Sequence, residues 1–137
     1  MIGISNKTIY AIMALEELST LQSDEVMAIK DIAKNASIPK NFLEQILLSL
    51  RQNSILISIK GAKGGYRLNR ELKDISLKEI VMILERDIFS PIQNPSNQAL
   101  NLFWSDLNNQ ILEAFDIPLS KIDDYKQQLI ETLNYSI

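Results

Sequence analysis

The sequence predicts a mainly α-helical fold with one small β-hairpin: a winged helix-turn-helix followed by C-terminal dimerisation helices. Three observations carry this. Apolar residues recur at three- and four-residue spacing along most of the chain, the period of amphipathic helices. The stretch from Ile55 to Asn69 alternates instead with a period of two around the tip Gly61-Ala62-Lys63-Gly64-Gly65. That hairpin directly follows a short helical pattern, a tight turn and a longer helical pattern, the order of a helix-turn-helix with its wing.

The first helix is expected over 5–21, with Ser5 as N-cap and Ile9, Ile12, Met13, Leu15 and Leu18 facing the core. A loop over 22–27 leads to a second helix over 29–35, where Ile29, Ile32, Ala33 and Ala36 form one stripe. After a turn at 36–38, the fixed φ of Pro39 suits the opening of a third helix. Its buried stripe is Phe42, Leu43, Ile46, Leu47 and Leu50. Beyond Asn53-Ser54, Ile55, Ile57 and Ile59 alternate with Leu56, Ser58 and Lys60, and Tyr66 and Leu68 with Arg67 and Asn69, so one isoleucine face is expected inward. Ser76-Leu77-Lys78-Glu79 is a capping box, with Ile75 and Ile80 placed for a hydrophobic staple around a helix ending near Leu84. The polar segment 86–97 holds two prolines and reads as a loop. From there to Phe115, Leu100, Trp104, Leu107, Ile111 and Phe115 form a seam suited to another helix, in this chain or in a second copy. A final helix over 123–134 is expected to cap the fold with Leu129, Ile130 and Leu133. The division is therefore 1–85 for the winged head, 86–97 for the loop and 98–137 for the helical dimerisation region.

Composition narrows the chemistry. With 137 residues, 46% hydrophobic and 23% charged, the chain suits one folded domain or a small domain with an appendage. It contains neither Cys nor His, which removes disulfides, zinc fingers, thiolate ligation of iron–sulfur clusters and Cys-His or Ser-His-Asp catalysis. No phosphate-binding loop motif is present and the carboxylates fall on helix surfaces, so no enzyme, no catalytic residue, no metal site and no cofactor is expected. The N-terminus lacks the basic and apolar regions of a signal peptide. The longest uncharged run, Ile88–Ser105, is interrupted by Pro91, Pro95 and several Asn, which argues against a membrane span. A cytoplasmic location is expected.

The net charge of −3 is divided unevenly. Residues 1–70 carry nine Lys/Arg against six acids, a net of +3, whereas residues 71–137 carry five against eleven, a net of −6. Local basic patches, not the total, govern phosphate contact. On the third helix, Asn41 and Gln45 are suited to base edges, Glu44 to cytosine N4, and Lys40 and Arg51 to phosphates. Read alone, that helix fits better the ordinary solvated face of an amphipathic helix; the wing shifts the balance. The wing adds Lys60, Lys63 and Arg67 around glycines that permit close approach to another surface; a hairpin with no such role has the same pattern.

Four motifs then resemble the winged-helix regulators of the Rrf-two family: Ser5-Asn6-Lys7-Thr8-Ile9-Tyr10-Ala11, Ile32-Ala33, Pro39-Lys40-Asn41-Phe42-Leu43-Glu44-Gln45-Ile46-Leu47 and Lys60-Gly61-Ala62-Lys63-Gly64-Gly65-Tyr66. The similarity covers about the first 85 residues. It implies a dimeric bacterial transcription factor, a repressor without enzymatic activity, with double-stranded DNA as partner and the C-terminal helix as dimer interface. Asn41, Glu44 and Gln45 would read bases, while Ser5, Lys7, Tyr10, Lys60, Lys63 and Gly64 would contact backbone or minor groove. The chain departs from the family in three places. Ser54 stands where glycine is usual, Thr8-Ile9 replaces a common Gly-Arg pair, and Leu48 is apolar near the reading face. The three cysteines that hold an iron–sulfur cluster in sensor members are missing from 86–97, so a small molecule or partner protein is the expected effector. The alternative is a winged helix serving protein–protein interaction, with Leu48 in its docking patch.

Overall fold

The computed structural model describes residues 3–135 and places helices α1 (Asn6–Leu18), α2 (Ile29–Ala36) and α3 (Lys40–Gln52) ahead of strands β1 (Leu56–Ile59) and β2 (Gly65–Leu68). Helices α4 (Leu77–Leu84), α5 (Gln98–Phe115) and α6 (Ile122–Tyr135) follow. The strands are antiparallel, in the register Leu56↔Leu68, Ile57↔Arg67, Ser58↔Tyr66 and Ile59↔Gly65. The expected mainly helical fold with a small hairpin wing is observed.

One apolar core joins the elements of the head. Leu15 and Leu18 of α1, Ile32 of α2, Leu43, Ile46, Leu47 and Leu50 of α3, and Ile80 of α4 are all at or near zero exposure. Each such side chain contributes about 1.5–3 kcal/mol through burial. Two helix ends depend on residues in the left-handed region. Ser37 has φ 56°, and Ile38 N–H reaches back to Ala33 O at 2.9 Å. Ser54 has φ 61°, with Ser54 N–H donating to Arg51 O at 3.0 Å and Ile55 N–H to Leu50 O at 2.9 Å, the paired bonds of a Schellman cap. The cap turns the chain straight from α3 into β1. The capping box forms as expected: Glu79 N–H donates to Ser76 Oγ and Ser76 N–H to Glu79 Oε2, both at 3.1 Å. Ile75 and Ile80 are both fully buried around it.

Several orientations differ from the expectation. Ile9 points outward, and α1 buries Thr8, Ala11 and Ala14 beside Leu15 and Leu18, because small side chains allow the other helices close approach. Phe42 is 50% exposed and leans on Tyr10 instead of entering the core. The wing has no inward isoleucine face: Ile55 and Leu56 are buried, but Ile57 is half-buried and Ile59 exposed. A two-stranded ribbon packs only at its base, so alternation along it cannot correspond to one continuous buried face. The last helix does not cap the fold; Leu129 and Leu133 are 65% and 64% exposed. The head is closed instead by the residues before α6. Leu77 N–H donates to Ile117 O at 2.9 Å and Leu119 N–H to Ile75 O at 2.8 Å, which seats Leu119 in the core.

Candidate nucleic-acid interface

The α3 stripe Leu43, Ile46, Leu47 and Leu50 is buried, so the opposite side of the helix must face outward. Asn41, Gln45, Leu48 and Gln52, spaced four, three and four apart, occupy that side, with Glu44 beside them, and all are exposed. Leu48 is 43% exposed, the one apolar member of the row. Lys40 opens α3 and Arg51 lies in its last turn, both exposed and about 16 Å apart along the axis at 1.5 Å per residue.

Two contacts fix the neighbours of α3. Tyr10 and Phe42 bring their rings to 6.0 Å, which sets the first turns of α1 beside the start of α3. Ser5 and Lys7 are exposed there, and Tyr10 is half-buried. The wing is tied to the approach to α2 by an isolated bridge, with Met27 N–H donating to Tyr66 O and Tyr66 N–H to Met27 O, each at 2.9 Å. Its other end is latched to the α3 cap, where Asn69 Nδ2 donates to Ser54 O at 2.9 Å. At the tip, Gly64 N–H donates to Gly61 O at 3.0 Å, and Gly61 takes φ 119°. Lys60 and Lys63 are exposed around it, while Gly64 and Arg67 are half-buried.

The charges divide by partner. Among the described residues, the salt bridges use Arg70, Lys73, Lys121 and Lys126. No cation from Lys7 to Arg67 is in one, so Lys30, Lys34, Lys40, Arg51, Lys60, Lys63 and Arg67 stand on the head without a salt-bridge partner among the described residues, and Lys7 has only the nearby, unbonded Glu85 carboxylate. Phosphates can therefore engage them without breaking an internal pair.

Sequence reasoning missed Met27, Thr8 and Glu85. A one-residue bridge has no period, which hides Met27. Thr8 is fully buried and its hydroxyl donates to Glu85 Oε1 at 2.8 Å. The same oxygen accepts from Ser5 N–H at 2.7 Å and Ser5 Oγ at 2.6 Å, a contact across 80 positions with no local signal. Burial pushes the Glu85 carboxyl up, but these hydrogen bonds and the nearby Lys7 charge together bring it below the usual carboxylate range.

On α5 no residue is buried. Phe89, from the preceding segment, stacks edge-on against Phe115 at 5.8 Å, and Asn108 Nδ2 donates to Phe89 O at 2.9 Å, so one flank of the seam is covered within the chain. Leu100, Leu107, Ile111 and Phe115 are half-buried, whereas Trp104 and Phe103, the latter 63% exposed and absent from the expected seam, are open. No helix among the described residues is long and apolar enough to cross a membrane.

A three-helix head with a basic hairpin wing and a polar outward face on its third helix defines the class of winged helix-turn-helix transcription regulators. Residues 4–119 match the family model Rrf2, described as an iron-dependent transcriptional regulator. The chain belongs to that family, the Rrf-two regulators that its motifs resemble. It is 39% identical to an rrf2-like HTH-type transcriptional regulator of Rhodobacter capsulatus, over 74% of this chain and 82% of that one. It is 34% identical to the HTH-type transcriptional regulator NsrR of Bacillus licheniformis, over 91% and 89%. The structure of CymR, the global cysteine regulator of Bacillus subtilis, superposes with a TM-score of 0.72 at 27% identity, covering 91% of this chain and 98% of that one. The iron in the family's description finds no thiolate or imidazole here, and no group of three or more carboxylates is gathered among the described residues. The donor set does not fit an iron–sulfur cluster.

Proposed function

We propose that this regulator binds a palindromic operator as a homodimer, represses transcription and responds to an effector other than an iron–sulfur cluster. Residues 1–85 read DNA and 98–137 dimerise, with 86–97 between them. The observation that carries this reading is the outward-facing, mostly polar row of α3 on a head whose cations from Lys30 to Arg67 join no salt bridge among the described residues. In it, Asn41, Glu44 and Gln45 read base edges, and Lys40, Arg51, Lys60, Lys63 and Arg67 hold phosphates, with Ser5, Lys7, Tyr10 and Gly64 on the flanking backbone. An 18-residue α5 with no buried residue supports dimerisation through Leu100, Trp104, Leu107, Ile111 and Phe115, extended to Phe103. A two-fold dimer then spaces its α3 helices for half-sites one or more turns apart, ~34 Å per turn. The lack of Cys and His favours a small molecule or partner protein as effector, and the cytoplasm is the proposed place of action.

Operator selection from random duplexes, followed by binding titrations over a salt series, tests this. Glu44→Ala should change base preference at one or two positions, while Lys63→Ala should weaken all sequences alike and lower the salt slope by about one. A folded dimer that binds no duplex at low salt would refute it.

Leu48 favours a second reading, in which the head docks a protein. Thymine's methyl is the apolar feature of the major groove, so replacing operator thymines by deoxyuridine separates the two. Loss of affinity at one thymine that disappears in Leu48→Ala assigns Leu48 to DNA. No thymine effect leaves it to the protein-docking reading.

A further inference from the structure

The donors at the start of α1 are already occupied. Ser5 N–H, Ser5 Oγ and Thr8 Oγ1 converge at 2.6–2.8 Å on Glu85 Oε1, while Ser5 Oγ also accepts from Lys7 N–H at 3.3 Å to cap the helix. Converging N–H and O–H donors at a helix N-terminus, with a lysine beside them, are the usual equipment for holding a phosphate. Here a side-chain carboxylate from the end of α4 fills the place. The contact conflicts with the backbone role given above to Ser5: a DNA phosphate on Ser5 would meet both spent donors and a like charge.

We propose that Glu85 is an internal substitute for a DNA phosphate, holding the α1 terminus in the free protein and giving way to the phosphate when the operator binds. This rests on the DNA-binding reading and adds a competition to it. Glu85 is the C-cap of α4 and leads by one peptide bond into 86–97, whose Phe89 is pinned to α5. Release of the carboxylate therefore frees the first residues of that segment. By linkage, whatever draws the segment away from α1 opens the phosphate place and tightens DNA binding, and whatever holds it in place weakens binding. The buried Thr8 hydroxyl sets the threshold, because it must exchange one acceptor for another and is not reached by bulk water.

The test uses the full chain as Glu85→Gln, Glu85→Ala and, as a charge-matched control on exposed α6, Glu131→Gln. Selected operator duplex is titrated at fixed salt, and inorganic phosphate is titrated separately while the amide resonances of Ser5, Lys7 and Thr8 are followed. Removing a like charge from beside a phosphate should tighten duplex binding about tenfold in Glu85→Gln, against less than about twofold in Glu131→Gln. Phosphate should shift the three amides in Glu85→Ala and leave wild type unmoved. Unchanged or weaker duplex binding by folded Glu85 variants overturns the proposal, as does tighter binding without an amide shift, which would assign the effect to general charge. If both Glu85 variants fail to fold, the contact is structural and the proposal falls. If neither wild type nor variants bind any duplex, the DNA-binding reading fails, and the amide shifts still decide whether Glu85 fills an anion place.

Discussion

Gly65→Ala is expected to be among the most destabilising single-methyl changes in this head, because of what lies opposite it. A Cβ built on Gly65 falls within the closest approach real Cβ atoms make to the backbone of the α2 approach: against Met27 O, 2.5 Å from the Met27 carbonyl carbon and 2.8 Å from Ala28 N, where 3.0 Å is the practical limit. All three are main-chain atoms, so no rotamer change relieves the clash. Either β2 or the Met27–Ala28 segment must move by about half an ångström or more, which strains the Met27–Tyr66 bridge and its two 2.9 Å hydrogen bonds. Losing both, at about 1 kcal/mol each, with overpacking strain of about 1–3 kcal/mol, gives about 3–5 kcal/mol. For a chain of 137 residues this is a fall in melting midpoint of roughly 10–20 °C. Urea unfolding and thermal melts followed by helical circular dichroism measure both. Gly61→Ala is the comparison: its Cβ meets nothing within 4 Å, but φ 119° disfavours a side chain, so about 1–2 kcal/mol is expected. A loss below about 1 kcal/mol for Gly65→Ala, or a loss smaller than that of Gly61→Ala, would refute the reasoning.

The Schellman cap of α3 uses Ser54 at φ 61°, so Ser54→Gly should stabilise the head by about 0.5–1 kcal/mol, read as a higher urea midpoint at constant slope. Glu79 is held below its ordinary value of 4.5 chiefly by the Arg70 hydrogen bond, which together with Ser76 N–H and the Arg70 charge outweighs partial burial. A depressed folded value means that the unfolded chain takes up the proton first as pH falls; this stability is full above the ordinary carboxylate range and is lost as pH drops from about 5 through the folded value. Melting midpoints should therefore be flat near neutrality and decline in acid, less steeply in Glu79→Gln. Phe103→Asp should shift sedimentation from dimer to monomer while leaving the helical signal of the head intact; an unchanged dimer would remove α5 from the interface.

Much of the fold was legible because its signals are local. The Ser76–Glu79 box, the burial of Ile75 and Ile80 around it, and the α3 stripe from Leu43 to Leu50 depend on residues within a turn or two of one another, and these formed as expected. Ile9, Phe42 and Ile59 were misplaced for a shared reason: each lies at the margin of an apolar stripe, where burial depends on what packs opposite. Phe42 found Tyr10, Ile59 found solvent at the wing, and Ile9 yielded its side of α1 to Thr8 and the alanines. The polar row of α3 and the basic wing were recognisable as residue types, whereas the Glu85 contact at Ser5 and Thr8 was not, since 77 and 80 positions separate the partners.

By itself the sequence determined the order and kind of the elements, the basic head and acidic remainder, and the lack of any thiolate or imidazole, because period, capping residues and composition need no partner to be read. Only the tertiary structure decided which cations join salt bridges, that the wing is pinned to Met27, that Leu119 closes the head, and that the Glu85 carboxylate at the end of α4 meets Ser5 and Thr8 at the start of α1. Those are outcomes of which surfaces meet, and residues far apart in the chain carry no local mark of the neighbour that folding gives them.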